Sequence, residues 1–183
     1  MPEARVSGAL IIDQRTGLQS MLGEEEYRRV LSSLPAEVRE TYEAATGVSW
    51  VPCGHVDQVI TAAARHVGRH PLEFHADLSR KNVERTLRGI WRVLLRFTGD
   101  RAIVQRTPLM YRKTFDTGEL EGAITEPGHA EVILRGWPEI SDIHLVGLQM
   151  GVETVLSITG RPNVRCSRRR TPEGAVFDLR WSH

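Results

Sequence analysis

Residues 139–159 read EISDIHLVGLQMGVETVLSIT. Ile143, Leu145, Val146, Leu148, Met150, Val152, Val155, Leu156 and Ile158 outnumber the polar positions, over a length that suits a helix better than a strand. Apolar side chains around most of the circumference predict a helix buried across much of its surface. Gly147 and Gly151 leave a shallow groove on one side of it, where another backbone can come close. What flanks this helix sets the fold class. On its N-terminal side Ala102 to Gln105, Leu109 to Asp116 and Ala130 to Leu134 have strand length and β-branched or aromatic content, with Thr117-Gly118 and Pro127-Gly128 as turns. On its C-terminal side Arg161 to Arg170, Thr171-Pro172-Glu173-Gly174 and Ala175 to Trp181 read as a β-hairpin. In that hairpin Val176, Asp178 and Arg180 share one face, and Phe177, Leu179 and Trp181 the other.

Further towards the N-terminus the pattern is helical. Ser7 to Gly23 carries Leu10, Ile11, Leu18, Met21 and Leu22 at helical spacings and closes on a glycine. Glu24-Glu25-Glu26 opens a second helix with Tyr27, Val30, Leu31 and Leu34 as its apolar side, and Pro35 to Ala45 forms a third. Val48 to Gly54 reads as extended, followed by helices from His55 to Val67, from Leu72 to about Lys81, and from Asn82 to Phe97. The last of these sets Val83, Leu87, Ile90, Trp91, Leu94 and Leu95 against a stripe of Arg85, Arg88, Arg92 and Arg96. Helices first, then strands, one long helix and a hairpin describe an α+β fold. In it an N-terminal helical bundle packs on a small antiparallel sheet, since no repeated strand-helix-strand unit occurs. The whole chain, 1–183, is expected to form one domain, with a mainly helical half over 1–98 and the strands, long helix and hairpin over 99–183.

The chain has 183 residues with a net charge of +1, and all its basic residues except Lys81 and Lys113 are arginine. A balanced charge removes the global electrostatic argument for nucleic acid. No apolar run approaches the length of a membrane-spanning helix, and the N-terminus lacks a secretory signal, so the expected location is the cytoplasm. Cys53 and Cys166 are too few for a disulfide scaffold. Glycine-rich phosphate loops, a GxSxG elbow and an HExxH pair are all absent from the sequence.

Several side-chain groups could carry chemistry. His66, His70 and His75, with Cys53 and His55 upstream, are the nearest approach to a metal or heme ligand set, but Gly68 and Pro71 interrupt a shared helical face, and they read as surface or loop histidines. Asp116, Glu119 and Glu121 lie near a turn and read as solvated. Arg165, Arg168, Arg169 and Arg170 form the densest positive patch, near the tip of the terminal hairpin, suited to an anion or an acidic partner. Trp50, Trp91, Trp137 and Trp181 fall in different elements, and an apolar cavity between the helical layer and the sheet is a natural small-molecule site.

Ser7-Gly8-Ala9-Leu10, Leu22-Gly23-Glu24-Glu25, Arg29-Val30-Leu31 and Leu34-Pro35 resemble the N-terminal helices of bacterial heme-NO-binding-like and 4-vinyl-reductase-like domains. Asp116-Thr117-Gly118, Gly136-Trp137-Pro138, Gly147 with Gly151, and Phe177-Asp178-Leu179-Arg180-Trp181 are similar to the C-terminal half of that group. The resemblance implies an α+β sensor domain, often dimeric, with a small-molecule pocket between helices and sheet. Its heme-binding members carry a YxSxR motif and an axial histidine. This chain has no YxSxR, so no cofactor is expected, and heme least of all. The paired C-terminal cysteines of some members are also incomplete, because Cys166 stands alone and Ala175 occupies the second place, so no metal is expected.

The resulting expectation is a non-enzymatic cytoplasmic sensor or adaptor domain that binds a small apolar or amphipathic ligand and signals through a homodimer. Its pocket residues are Trp91, Tyr111, Phe115, Trp137, His144 and Leu148, with His144 the polar handle, and Arg165, Arg168, Arg169 and Arg170 meet a partner or anion. The alternatives are a protein-interaction module in a signalling complex, using the Gly147 and Gly151 groove, and a heme-dependent gas sensor. Membrane and nucleic acid are not expected partners.

Overall fold

Gly23 ends the first helix in a left-handed conformation, φ 81°, that a side chain would disfavour, and around this corner the helical part of the molecule is laid out in order. The computed structural model describes residues 3–87 and 99–182. A short strand β1 (Arg5–Ser7) leads into α1 (Gly8–Leu22), α2 (Glu24–Ser32) and α3 (Ala36–Glu43). Strand β2 (Trp50–Pro52) then pairs antiparallel with β1 and runs into α4 (Cys53–His66), followed by α5 (Pro71–Thr86). The C-terminal part comprises α6 (Asp100–Thr114), β3 (Glu119–Glu126), β4 (His129–Arg135), α7 (Asp142–Ile158), β5 (Arg165–Thr171) and β6 (Gly174–Arg180). The last four strands form an antiparallel sheet in the order β3-β4-β6-β5. The class is α+β, as the order of elements indicates.

The long apolar helix forms over 142–158, capped by the Ser141 hydroxyl, which accepts from the His144 amide at 3.2 Å, with Asp142 in the first turn. The hairpin also forms, though its first strand starts at Arg165 and not at Arg161, with Phe177, Leu179 and Trp181 buried and Arg180 exposed.

The strands expected over Ala102 to Gln105 and Leu109 to Asp116 do not exist: α6 takes up the first and nearly all of the second. Short apolar runs do not distinguish the two periods. Tertiary packing does, because buried Val104 and Tyr111 stand two turns apart on one side of this helix, and Val104 Cγ1 lies 2.6 Å from where a Cβ on Gly122 of β3 would stand. Conversely, β3 occupies residues expected to form a turn region. Its alternation of Leu120, Gly122 and Ile124 with acidic or small residues is a strand pattern weakened by residues of low β-propensity, and pairing with β4 supplies what propensity lacks. Helix α5 runs unbroken through the expected boundary at Lys81. The part of the expected 82–97 helix that contains Ile90, Trp91, Leu94 and Leu95, with Arg88, Arg92 and Arg96, lies outside the described residues.

The two parts of the molecule are tied together by β1. Val6 bridges Phe115 at the end of α6, the Asp116 amide donates to the Arg5 carbonyl at 3.2 Å, and the Asp116 carboxylate accepts from the Arg5 backbone at 2.8 Å and its guanidinium at 2.7 Å. On the other side α5 packs lengthwise against α7.

Candidate functional site

Where α4, α5, α6 and α7 approach one another, aromatic and imidazole rings collect. Tyr111 and Phe115 at the end of α6 have ring centroids 5.3 Å apart, and Phe115 meets Trp137 at 5.4 Å. His144 in the first turn of α7 stands 5.7 Å from Phe115, edge to face, and 5.8 Å from Trp137. The tyrosine hydroxyl leaves this cluster at one end, donating to the Thr117 carbonyl at 2.6 Å. Four of the six expected pocket residues are thus brought into one cluster. Leu148 lies one helical turn beyond His144, half-buried against the core, and Trp91 falls outside the described residues.

The His144 ring is tied to α4. Its Nε2 lies 3.2 Å from the Cys53 carbonyl and 3.4 Å from Asp57 Oδ1, so this nitrogen carries a proton and donates. Asp57 in turn accepts from the Ser141 hydroxyl at 3.0 Å. Burial holds the imidazole below its ordinary range against the pull of the Asp57 carboxylate, and raises the Asp57 carboxyl. Asp57, Ser141 and the Cys53 carbonyl are participants that the sequence reading missed. The one sequence signal able to find any of them is Ser141-Asp142, a helix-start pair at the beginning of α7.

The second imidazole, His75 on α5, has different surroundings. Its ring lies against Gly147 of α7, so close that a Cβ there would stand 2.8 Å from Nε2. The same nitrogen is 3.4 Å from the Ser79 hydroxyl. The other ring nitrogen, Nδ1, is buried and has no hydrogen-bond partner among the described residues. Burial, reinforced by His144, pushes this histidine down to about 3, so it is neutral at every physiological pH. The Gly147 side of the expected groove is therefore filled by a side chain of the same molecule, whereas Gly151 has nothing within 4 Å of its Cβ position.

The remaining candidates are dispersed. His66 binds Glu26 at 2.5 Å and His70 Nδ1 caps α5 by accepting from the Leu72 amide at 3.3 Å. No group of three or more His, Cys, Asp or Glu among the described residues is arranged to hold a metal ion. Burial pushes the Cys53 and Cys166 thiols up to about 12, which leaves them protonated and unreactive. Partial burial acts to raise the Asp116 carboxyl, but the bonds from Arg5 and Thr117 outweigh it and hold the group below the usual carboxylate range. Glu121 on β3 pairs with Arg135 at 2.6 Å. The four arginines lie along β5 and point alternately to its two sides: Arg168 donates to Gln149 and Arg170 to Asp142 at 2.8 Å, both on α7, while Arg165 and Arg169 are exposed. No described helix is long and apolar enough to cross a membrane.

No protein-family model and no curated protein matches the chain. Solved structures do. An Fe(II) unliganded H-NOX protein from K. algicida superposes with a TM-score of 0.70 at 9% identity, covering 97% of both chains. An oxygen-binding H-NOX domain related to soluble guanylate cyclases, in its oxygen complex, gives 0.67 at 11% identity over 97% of this chain and 95% of its own. A structure described as modulating heme redox potential through protein-induced porphyrin distortion gives 0.66 at 14% identity over 97% and 99%. These neighbours correct one expectation. The missing YxSxR argues that no cofactor belongs here, yet the architecture is shared over nearly its whole length with heme proteins that differ from this chain at most positions. A short motif therefore does not decide the matter. Across 97% of its length, the chain has the fold of the H-NOX domains.

Proposed function

We propose that this protein is a sensor-like, non-enzymatic domain that binds a small, largely apolar ligand in the seam between α5, α6 and α7. The observation that carries the reading is the buried Nδ1 of His75, which has no partner and belongs to an imidazole held neutral. In the tautomer that carries its proton on Nε2, towards the Ser79 hydroxyl, Nδ1 is an acceptor for a ligand donor group and equally a ligand for a metal. Leaving such an atom unpaired in a protein interior costs on the order of 1–3 kcal/mol, a cost that a bound group would remove. His144, by contrast, already donates from Nε2 to the Cys53 carbonyl, so it serves to line and orient the seam.

Heme suits the seam on the same grounds. The H-NOX neighbours are described with Fe(II), oxygen and porphyrin, and here the imidazole of His75 on α5 lies against Gly147 of α7, the helix that carries His144, whose ring stands against Trp137 and Phe115, flat rings of the kind that pack on a macrocycle. His75 would hold the iron, and Trp137, Phe115 and Leu148 would exclude water around it. Bound there, the group would supply an iron able to take a small diatomic gas.

Hemin titration of the purified chain, followed by absorption, tests this reading. Saturable uptake at one per chain is expected, with a Soret band displaced from that of free hemin and lost in His75→Leu. Native mass spectrometry of freshly purified protein would reveal any other retained small molecule. A wild-type protein that takes up no hemin and carries no retained mass, or a His75→Leu variant with an unchanged hemin spectrum, overturns His75 as the ligand-accepting group.

A further inference from the structure

Among the described residues, the four-stranded sheet meets its helices through one face. Val104 of α6 reaches it at Gly122, and α7 reaches it at Cys166 and Arg168, all on the side of Leu120, Val132, Leu134 and Phe177. The opposite face carries a charge pattern that runs across the strands. Its central rung is Glu121 on β3, Ile133 on β4, Val176 on β6 and Arg169 on β5, in register. Towards one end a further rung places Glu126, His129, Arg180 and Arg165 in the same order. One edge of the face therefore carries two acids, Glu121 paired with Arg135 at 2.6 Å and Glu126 at 3.3 Å from His129, the other carries two exposed arginines, and two half-buried aliphatic residues lie between them. Arg165 and Arg169 are exposed, and neither guanidinium has an ion-pair partner among the described residues.

We infer that this face is the docking surface for a second copy of the same chain, with a two-fold axis running parallel to the strands between β4 and β6. That axis exchanges left and right while preserving height, so β3 of one copy covers β5 of the other and β4 covers β6. Glu121 then meets the other copy's Arg169, Glu126 meets its Arg165, and Ile133 packs on its Val176, each contact occurring twice. A two-fold axis lying across the strands would set acidic edge on acidic edge and basic on basic, which charge complementarity excludes. The same axis brings Glu131 opposite the other copy's Asp178 and His129 opposite its Arg180, and within each copy Asp178 offsets these like charges by pairing with His129 at 2.7 Å and Arg180 at 3.0 Å.

Four strands about 4.8 Å apart and about seven residues long offer roughly 400 Å² of flat face per copy. This is below the roughly 800 Å² per partner of a standard interface, so the pairing is expected to be reversible, with a dissociation constant in the micromolar range. The inference stands apart from the ligand reading, because no residue of the seam takes part in it.

Sedimentation velocity over a concentration series of the whole chain decides the matter. Wild type is expected to show a monomer–dimer equilibrium that weakens with salt. Glu121→Arg and Arg169→Glu, both at exposed positions, are each expected to weaken dimerisation by about tenfold or more, since each converts two attractions into repulsions. An equimolar mixture of the two single variants is expected to dimerise again. In the mixed pair one of the two symmetry-related contacts keeps its native charges and the other has both signs exchanged, so both attract. Circular dichroism checks that both variants stay folded. A wild type that remains monomeric at about 0.5 mM, a dimer indifferent to both substitutions, or single variants that fail to associate on mixing each overturn the proposal.

Discussion

Two imidazoles lie buried on either side of α7 and are treated in opposite ways. His144 faces α4, where its Nε2 reaches a backbone carbonyl and a carboxylate that is itself held by Ser141. His75 faces α7 from α5, fitted against a glycine, with one ring nitrogen left bare. Both are almost inaccessible to solvent, 4% and 7% exposed, so burial alone does not distinguish them. Their hydrogen bonds do. A satisfied imidazole fastens one element to another, whereas an unsatisfied one is a standing cost that a ligand can relieve.

The sharpest way to break this comparison is to remove each ring. His144→Leu removes a donor from the Cys53 carbonyl and a partner from the half-buried Asp57 carboxyl, and it is expected to cost about 2–3 kcal/mol in urea unfolding. His75→Leu keeps the volume and removes a polar atom that has no partner, so a change within about 1 kcal/mol is expected. Equal losses in the two variants would show that the bare nitrogen is satisfied in solution.

The glycine that receives His75 offers a second test. In a helix interior Gly→Ala ordinarily stabilises by about 0.5–1 kcal/mol. At Gly151, where nothing lies within 4 Å of the added carbon, that gain is expected. At Gly147 the methyl would stand 2.8 Å from His75 Nε2, so Gly147→Ala is expected to destabilise by about 1 kcal/mol and Gly147→Val by about 2–3 kcal/mol. The double variant Gly147→Ala with His75→Ala should recover most of that loss, and thermal melts would show whether it does.

Acid titration sharpens the comparison further. His75 is held at about 3 in the fold against 6.5 when exposed, so between these values the unfolded chain takes up a proton that the folded chain refuses. Stability must therefore fall as the pH falls through this window, by up to about 1.4 kcal/mol per pH unit from this residue. His144 contributes in the same sense, since its value is lowered too. Asp57, raised in the fold, acts in the opposite sense as it protonates, and Asp116 and Asp178, both lowered, lose their contribution only as the pH falls through and below the ordinary carboxylate value of 3.8. The difference between wild type and His75→Leu cancels those carboxylates, and a shallower acid slope is expected in the variant between pH 6.5 and about 5. Identical slopes would mean that His75 is solvated.

The smallest expected effect lies at the tie between the two parts of the molecule. Arg5→Ala removes the guanidinium from Asp116 but leaves the backbone bond at 2.8 Å, on a pair whose arginine is half exposed, so a loss of under about 1 kcal/mol is expected in the same urea assay.

Much of the fold was legible in residue order. The α7 pattern, the glycine ending α1 and the β5–β6 hairpin each carry a local signal strong enough to read directly. Helix α6 was not legible, because Ile103-Val104 and Leu109-Met110-Tyr111 fit either period, and the helix holds Pro108, a residue that helix interiors disfavour. Strand β3 was hidden for the converse reason: glutamate, glycine and alanine suit a strand only when a partner strand and the Val104 side chain stand beside them. Of the site, the aromatic members could be named as large rings needing burial.

What the sequence by itself determined is the class and the periods: helices first, an antiparallel sheet, one helix apolar enough to be enclosed, and a balanced charge. What only the tertiary structure decided is which polar atoms find partners. Cys53 and His144 are 91 residues apart and Asp57 and Ser141 are 84 apart, and their bonds exist because α4 and α7 pack side by side. The bare nitrogen of His75 is likewise a property of position, since whether a buried donor or acceptor is satisfied depends on neighbours brought by chain folding and on nothing in the residue itself.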